Sequence, residues 1–222
     1  MPFAWARATF RPITSPTWDF HRLMLRLWWR QLVCSLERDM ETRMPYMAET
    51  GMEKAALLIM HYQADVFSIL ADNIPTDLLD RTNSLIAKWR VSGNPVIFAN
   101  FAIDYGSRHE NNMLINNIKK TGFFRDPAPV SGLDIVDSDW RYACPRANVF
   151  HDTSLHADLQ AHGINTLVMA GVASSGVLFS TVGWASDADY RMYIVQDCCF
   201  DPDPTAHEAL FRTSFATRAV IL

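Results

Sequence analysis

From Lys54 to Leu222 short unbroken apolar runs alternate with stretches whose apolar residues recur at helical spacing, and few folds accept that rhythm. The runs are Ala55 to Met60 (AALLIM), Pro95 to Phe101 (PVIFANF), Ile164 to Ala170 (INTLVMA), Arg191 to Val195 (RMYIV) and Arg218 to Leu222 (RAVIL). A strand with one wet face alternates apolar and polar residues, whereas a strand buried on both faces reads as a continuous apolar run. Between the runs, Pro75 to Arg90 carries Leu78, Leu79, Leu85, Ile86 and Trp89 at helical spacing, with Gly93 just beyond its end. His156 to His162, stopped by Gly163, reads as a short helix, as do Val177 to Asp189 and Pro204 to Phe215. Strand, helix, strand, repeated, builds right-handed βαβ units around a sheet covered on both faces. The predicted fold is therefore α/β, three layers (α/β/α), with a mostly parallel sheet of five or six strands. The strands starting near Ala55, Pro95, Ile164 and Arg191 are expected at or next to its centre. Ligands of such sheets bind beyond the carboxyl ends of the strands, so the informative residues follow Met60, Phe101, Ala170 and Val195.

The first 50 residues read differently. They hold no lysine, the first being Lys54, and four of the seven tryptophans: Trp5, Trp18, Trp28 and Trp29. Phe20, Leu23, Met24, Leu27, Trp28, Leu32 and Leu36 recur at helical spacing, and Arg22, Arg26 and Arg30 share one stripe. An appendage outside the fold, an arginine-rich presequence and a membrane-surface helix all fit this pattern. The domain is expected over residues 54–222, with 1–50 an N-terminal extension making few contacts with its core. A net charge of −4 gives no basic footprint for nucleic acid. No stretch of about 18 apolar residues offers a membrane span. Cys34, Cys144, Cys198 and Cys199 show no zinc spacing and read as thiols of a reducing, cytoplasmic compartment. Cys198 and Cys199 read as packing residues, and Asp197 and Asp201 as caps of the following turn and helix.

Four segments stand where the fold would place a site. His61-Tyr62-Gln63-Ala64-Asp65 follows Met60, and Gly171-Val172-Ala173-Ser174-Ser175-Gly176-Val177 follows Ala170. Gln196-Asp197 follows Val195, and Phe150-His151-Asp152-Thr153-Ser154-Leu155 precedes the glycine turn. In this order and spacing they resemble the isochorismatase-like superfamily, which includes cysteine hydrolases such as nicotinamidases and N-carbamoylsarcosine amidases. The resemblance spans about residues 54–222, and its most specific part runs from Phe150 to Asp201. It implies a hydrolase fold and a triad: an aspartate two before a glutamine as general base, a lysine six before the phenylalanine, and a nucleophilic cysteine six after the turn glycine. It also implies a cis peptide between Val172 and Ala173, at the turn that supplies oxyanion donors.

Carried over residue by residue, the aspartate falls on His61, the lysine on Cys144 and the cysteine on Val177. Valine has no nucleophilic atom, so the amidase route is not expected at Val177. Histidine is a competent acid or base near neutral pH, which makes His61, with Asp65 four residues on, the one catalytic candidate. The expected pocket joins His61, Cys144 and Val177, with Gln63, Asp65, Val172 and Ala173 as neighbours. Two functions follow. One is a divergent hydrolase acting on a small molecule. The other is a catalytically silent relative that binds a small ligand or serves as an oligomeric scaffold. A small-molecule partner and a homo-oligomer are expected, and no cofactor or metal.

Overall fold

A computed structural model describes residues 54–222 except His109. The expectations for residues 1–50 and for Cys34 lie outside the described residues. Six strands form one parallel sheet: β1 (Ala55–Met60), β2 (Val96–Phe101), β3 (Trp140–Cys144), β4 (Thr166–Gly171), β5 (Arg191–Ile194) and β6 (Val220–Ile221). Their order is β3-β2-β1-β4-β5-β6. The chain runs outward from β1 to β3, returns to the other side of β1, and runs outward again to β6. With right-handed crossovers, reversing direction moves the helices to the opposite face, so both faces are covered. The reversal lies between β1 and β4, where a doubly wound sheet opens a crevice at its carboxyl end.

Four of the five apolar runs mark the middle of this sheet, and the fifth, Arg218 to Leu222, holds the edge strand β6. Every residue of β1, β2 and β4 is buried. β1 and β4 pair from Ala55↔Thr166 to Met60↔Gly171. Five helices surround β1 to β4: α1 (Ala64–Ile69), α2 (Leu78–Arg90), α3 (Met113–Thr121), α4 (Leu155–Ala161) and α5 (Phe179–Asp187). α2 buries Leu78, Thr82, Ile86 and Trp89 along one stripe, and Trp89 Nε1 donates to the Pro95 carbonyl at 3.1 Å, tying the helix to the start of β2. α6 (Pro204–Leu210) begins at Asp203, whose carboxylate accepts from Thr205 N and Ala206 N. Asp203, rather than Asp201, is thus the helix cap. Asp201 is buried and accepts from Ser175 N at 2.6 Å and Asp203 N at 3.0 Å.

Three elements leave no clear trace in the sequence pattern. β3 is an edge strand with mixed exposure, so it lacks an unbroken apolar run. α1 and α3 each bury a single residue, Val66 and Ile115, too few to write a stripe. The segment read as a helix from Val177 instead opens with a wide π turn, Ser174–Leu178, which then becomes α5. The last helix likewise ends in a π turn, Phe211–Phe215. Among the described residues, no helix is long and apolar enough to cross a membrane.

Beyond the β1–β4 pairing, one hydroxyl links the two halves of the chain. Tyr62 is fully buried; its hydroxyl donates to the Cys198 carbonyl at 2.7 Å and lies 2.8 Å from Thr82 Oγ1 on α2. Tyr62→Phe strips a donor from a buried carbonyl, so we expect a loss of about 1–3 kcal/mol in urea unfolding at unchanged m-value. Stability equal to wild type would show that the contact carries nothing.

Candidate functional site

β1 ends at Met60, and the chain must turn at once to leave the sheet. His61 does so with φ 56°, in the left-handed region, while its N–H still donates to the Ala99 carbonyl at 2.8 Å. Its ring lies over Phe101, centroids 4.0 Å apart. The side chain is buried, and Nε2 has no hydrogen-bond partner. Burial without a nearby carboxylate favours the uncharged ring and holds its pKa down at about 3.

The other residues after β1 are committed to the scaffold. Gln63 Oε1 accepts from Phe101 N at 2.7 Å, and its Nε2 donates to the carbonyls of Phe101 and Asp126, both at 3.4 Å. One buried amide thereby closes the open end of β2 and anchors the following loop. Asp65 Oδ2 accepts from Phe124 N at 2.6 Å, so this carboxylate fastens the loop after α3.

β4 ends at Gly171, where a Cβ would lie 3.3 Å from Val177 Cγ1 and 3.4 Å from Met60 Cβ. That crowding favours glycine, because a side chain there would have to push Val177 aside. The peptide between Val172 and Ala173 is cis, as the resemblance implies. Val172 N donates to the Met60 carbonyl, and the Ala173 carbonyl accepts from both Gly176 N and Leu178 N. Ser174 Oγ lies 3.0 Å from His207 Nδ1, so His207 ties α6 to the turn rather than standing free on the surface.

These segments enclose a cavity of about 290 Å³ beyond the carboxyl ends of β1 and β4. His61, Val172, Ala173 and Val177 line it. Its outer wall comes from Val66, Ile69, Leu114, Ile118 and Phe124. These residues carried no functional signal in the sequence, because aliphatic walls look like any other core. His61 is the one ionisable side chain among the walls. Gln63, Asp65 and Cys144 are not among them. Cys144 ends β3 as the register partner of Phe101, fully buried, its thiol 3.8 Å from the carbonyls of Tyr142 and Val149. Burial pushes that thiol up to about 12, so it stays protonated. Cys198 and Cys199 are also buried, free thiols raised by desolvation.

Two larger cavities lie elsewhere. One of about 540 Å³ sits at the amino ends of the strands, near Lys54, Pro95 and Trp140, where Arg90 is already paired with Asp134 and Asp139. One of about 430 Å³ flanks the β2–β3 edge. Neither reaches the crevice between β1 and β4. Among the described residues, no three His, Cys, Asp or Glu side chains come together as a metal site.

The topology and this crevice define a doubly wound α/β protein with its cavity at the strand-order reversal. The sequence pattern of the isochorismatase domain matches residues 55–222, and the chain belongs to that family. An uncharacterised isochorismatase family protein of Escherichia coli O157:H7, YecD, is 24% identical over 159 residues, covering 69% of this chain and 83% of its own. An isochorismatase family protein from Desulfovibrio vulgaris superposes with a TM-score of 0.64 at 20% identity, over 76% of this chain and 93% of that one. N-carbamoylsarcosine amidase from Thermoplasma acidophilum gives 0.61 at 20%, over 76% and 95%. At such identities the structural likeness speaks to the fold.

The uncharged His61 has a consequence for stability. Below pH 6.5 the unfolded chain binds a proton on residue 61 that the native chain refuses until about pH 3. Its contribution is therefore complete above 6.5 and is lost as pH falls, at about 1.4 kcal/mol per unit. His61→Asn, which tolerates the same backbone conformation, should flatten the decline of urea midpoints between pH 6.5 and roughly 4.5. Parallel declines for the two proteins would contradict the assignment.

Proposed function

We propose that this chain is a small-ligand-binding member of the isochorismatase family in which the covalent acyl-transfer chemistry has been lost. One observation carries the reading. The cavity at the strand-order reversal presents a single ionisable side chain, His61, and that side chain is uncharged. Acyl transfer needs a nucleophile, a base to activate it and donors for the oxyanion. At the positions where the family's aspartate, lysine and cysteine would fall stand His61, Cys144 and Val177. Val177 offers only methyl groups. Cys144 is a protonated thiol held away from the cavity walls. The wall that remains suits binding, since ligand sites are concave, mostly apolar and carry few polar groups.

A second reading keeps activity. The uncharged His61 on the cavity wall favours it, as a neutral imidazole can accept a proton from a bound water or substrate. This divergent hydrolase would work without the family's triad. The exposed Met113 and Leu114 and the half-exposed Ile69, clustered on α3 and α1, also support a homo-oligomer. The buried free thiols suit a reducing cytoplasm.

A panel of amides, ureas and vinyl ethers separates the readings. We expect no turnover by wild type, and none by Val177→Cys, because a thiol at 177 meets neither a carboxylate nor an ammonium to activate it. Turnover by wild type that His61→Ala abolishes would establish the divergent hydrolase instead. Turnover untouched by that change would deny His61 any part in it.

A further inference from the structure

Resting on the binding reading, the chemistry of the walls narrows the ligand further. At about 290 Å³ the cavity sits at the small end of ligand pockets and is about twice the size of an engineered apolar cavity that holds benzene. Two wall residues, Phe101 and Phe124, present tilted rings 5.4 Å apart, and His61 lies over the first of them. Such walls accept the face or edge of another ring.

No wall residue carries a charge. A carboxylate entering the cavity would leave water and find no cation there, and an ammonium would find no carboxylate. Either ion loses far more hydration than apolar walls return. Against this background one wall side chain is polar. His61 Nε2 is buried and unpartnered, on a residue that lines the cavity. A ligand in the cavity therefore meets one polar side chain, and a hydrogen bond to its imidazole is the polar contact that the walls offer. A neutral imidazole nitrogen is a donor in one tautomer and an acceptor in the other. A hydroxyl satisfies both, because it donates and accepts.

We infer that the cavity is a receptor for a small uncharged ring compound bearing one hydroxyl, the hydroxyl bonded to the His61 imidazole and the ring lying against Phe101 and Phe124. Val177 and Val172 close the floor with methyl groups, where the family's amidases would carry a nucleophile. The change at 177 thus matches the ligand: it converts a reactive floor into an inert one and removes a polar atom that an apolar ring would desolvate.

The test titrates the full chain with phenol, toluene, benzoate and benzylammonium, following the methyl signals of Val172 and Val177 by NMR. We expect phenol and toluene to shift both valines. Benzoate and benzylammonium should bind at least about tenfold more weakly than phenol. In His61→Phe toluene still binds, while the affinity of phenol relative to toluene falls by about fivefold. Gly176→Leu supplies a second variant. A Cβ at Gly176 meets nothing within 4 Å, so the added side chain narrows the cavity and weakens both neutral probes. The inference is overturned if either ion binds within tenfold of phenol, if the phenol-to-toluene ratio survives His61→Phe, or if no probe shifts the valines. Turnover in the hydrolysis panel would remove the binding-only reading of the protein. It would leave the ranking of these probes intact, so the two failures are told apart.

Discussion

The pairing of β1 with β4 is the contact on which everything else rests. It joins the two halves of the chain, 55–144 and 166–221, along six matched positions with no exposed residue on either strand. Its upper end, Met60 against Gly171, is where the polypeptide leaves the sheet on both sides. The direction of each exit follows from local sterics. His61 turns away in a left-handed conformation, and the π turn folds back close over Gly171, where a Cβ would crowd Val177. The cavity is the space left between these two departures. It is thus a property of the seam and does not depend on which chemical groups decorate it.

On the binding reading, that independence lets a site outlast its chemistry. Substitution at 61, 144 and 177 alters what the side chains can do without touching the elements that place them. Gln63 still closes the end of β2, Asp65 still fastens the loop at Phe124, and the Ala173 carbonyl still gathers two amides of the turn. Burial then decides the electrostatics. A histidine and a thiol placed in dry surroundings without counter-charges both settle into their uncharged forms.

The sheet was legible in the sequence because burial writes an unbroken apolar run: four of the five runs are the middle four strands, and the fifth, at the chain's end, is the edge strand β6. β3 was not, since an edge strand mixes apolar and polar residues. The residues after β1 and β4 were legible as a site from topology and spacing. Their partners were not. That Gln63 would be consumed by the Phe101 backbone, or that Asp65 would turn to Phe124 N, depends on loops with no periodicity. The walls Ile69, Leu114 and Phe124 were invisible for a different reason: a residue lining a cavity and a residue filling a core have the same composition. Cys144 shows the limit of carrying a position over by spacing. The count from Phe150 locates the strand end, while the direction of the side chain depends on packing.

The cavity has walls of unequal strength. On one side stand strands and a turn whose residues are buried almost throughout. On the other stand α1 and α3, each with a single buried residue. Cooperative opening of the strand side requires breaking the sheet, and the Tyr62 hydroxyl resists even a partial separation of its halves. The helix side belongs to the low end of the local stability range. Admission and fit are thereby assigned to different parts of the molecule. For a ligand such as the one proposed, the sheet side would set the shape that is recognised, and the helix side how fast it enters and how long it stays.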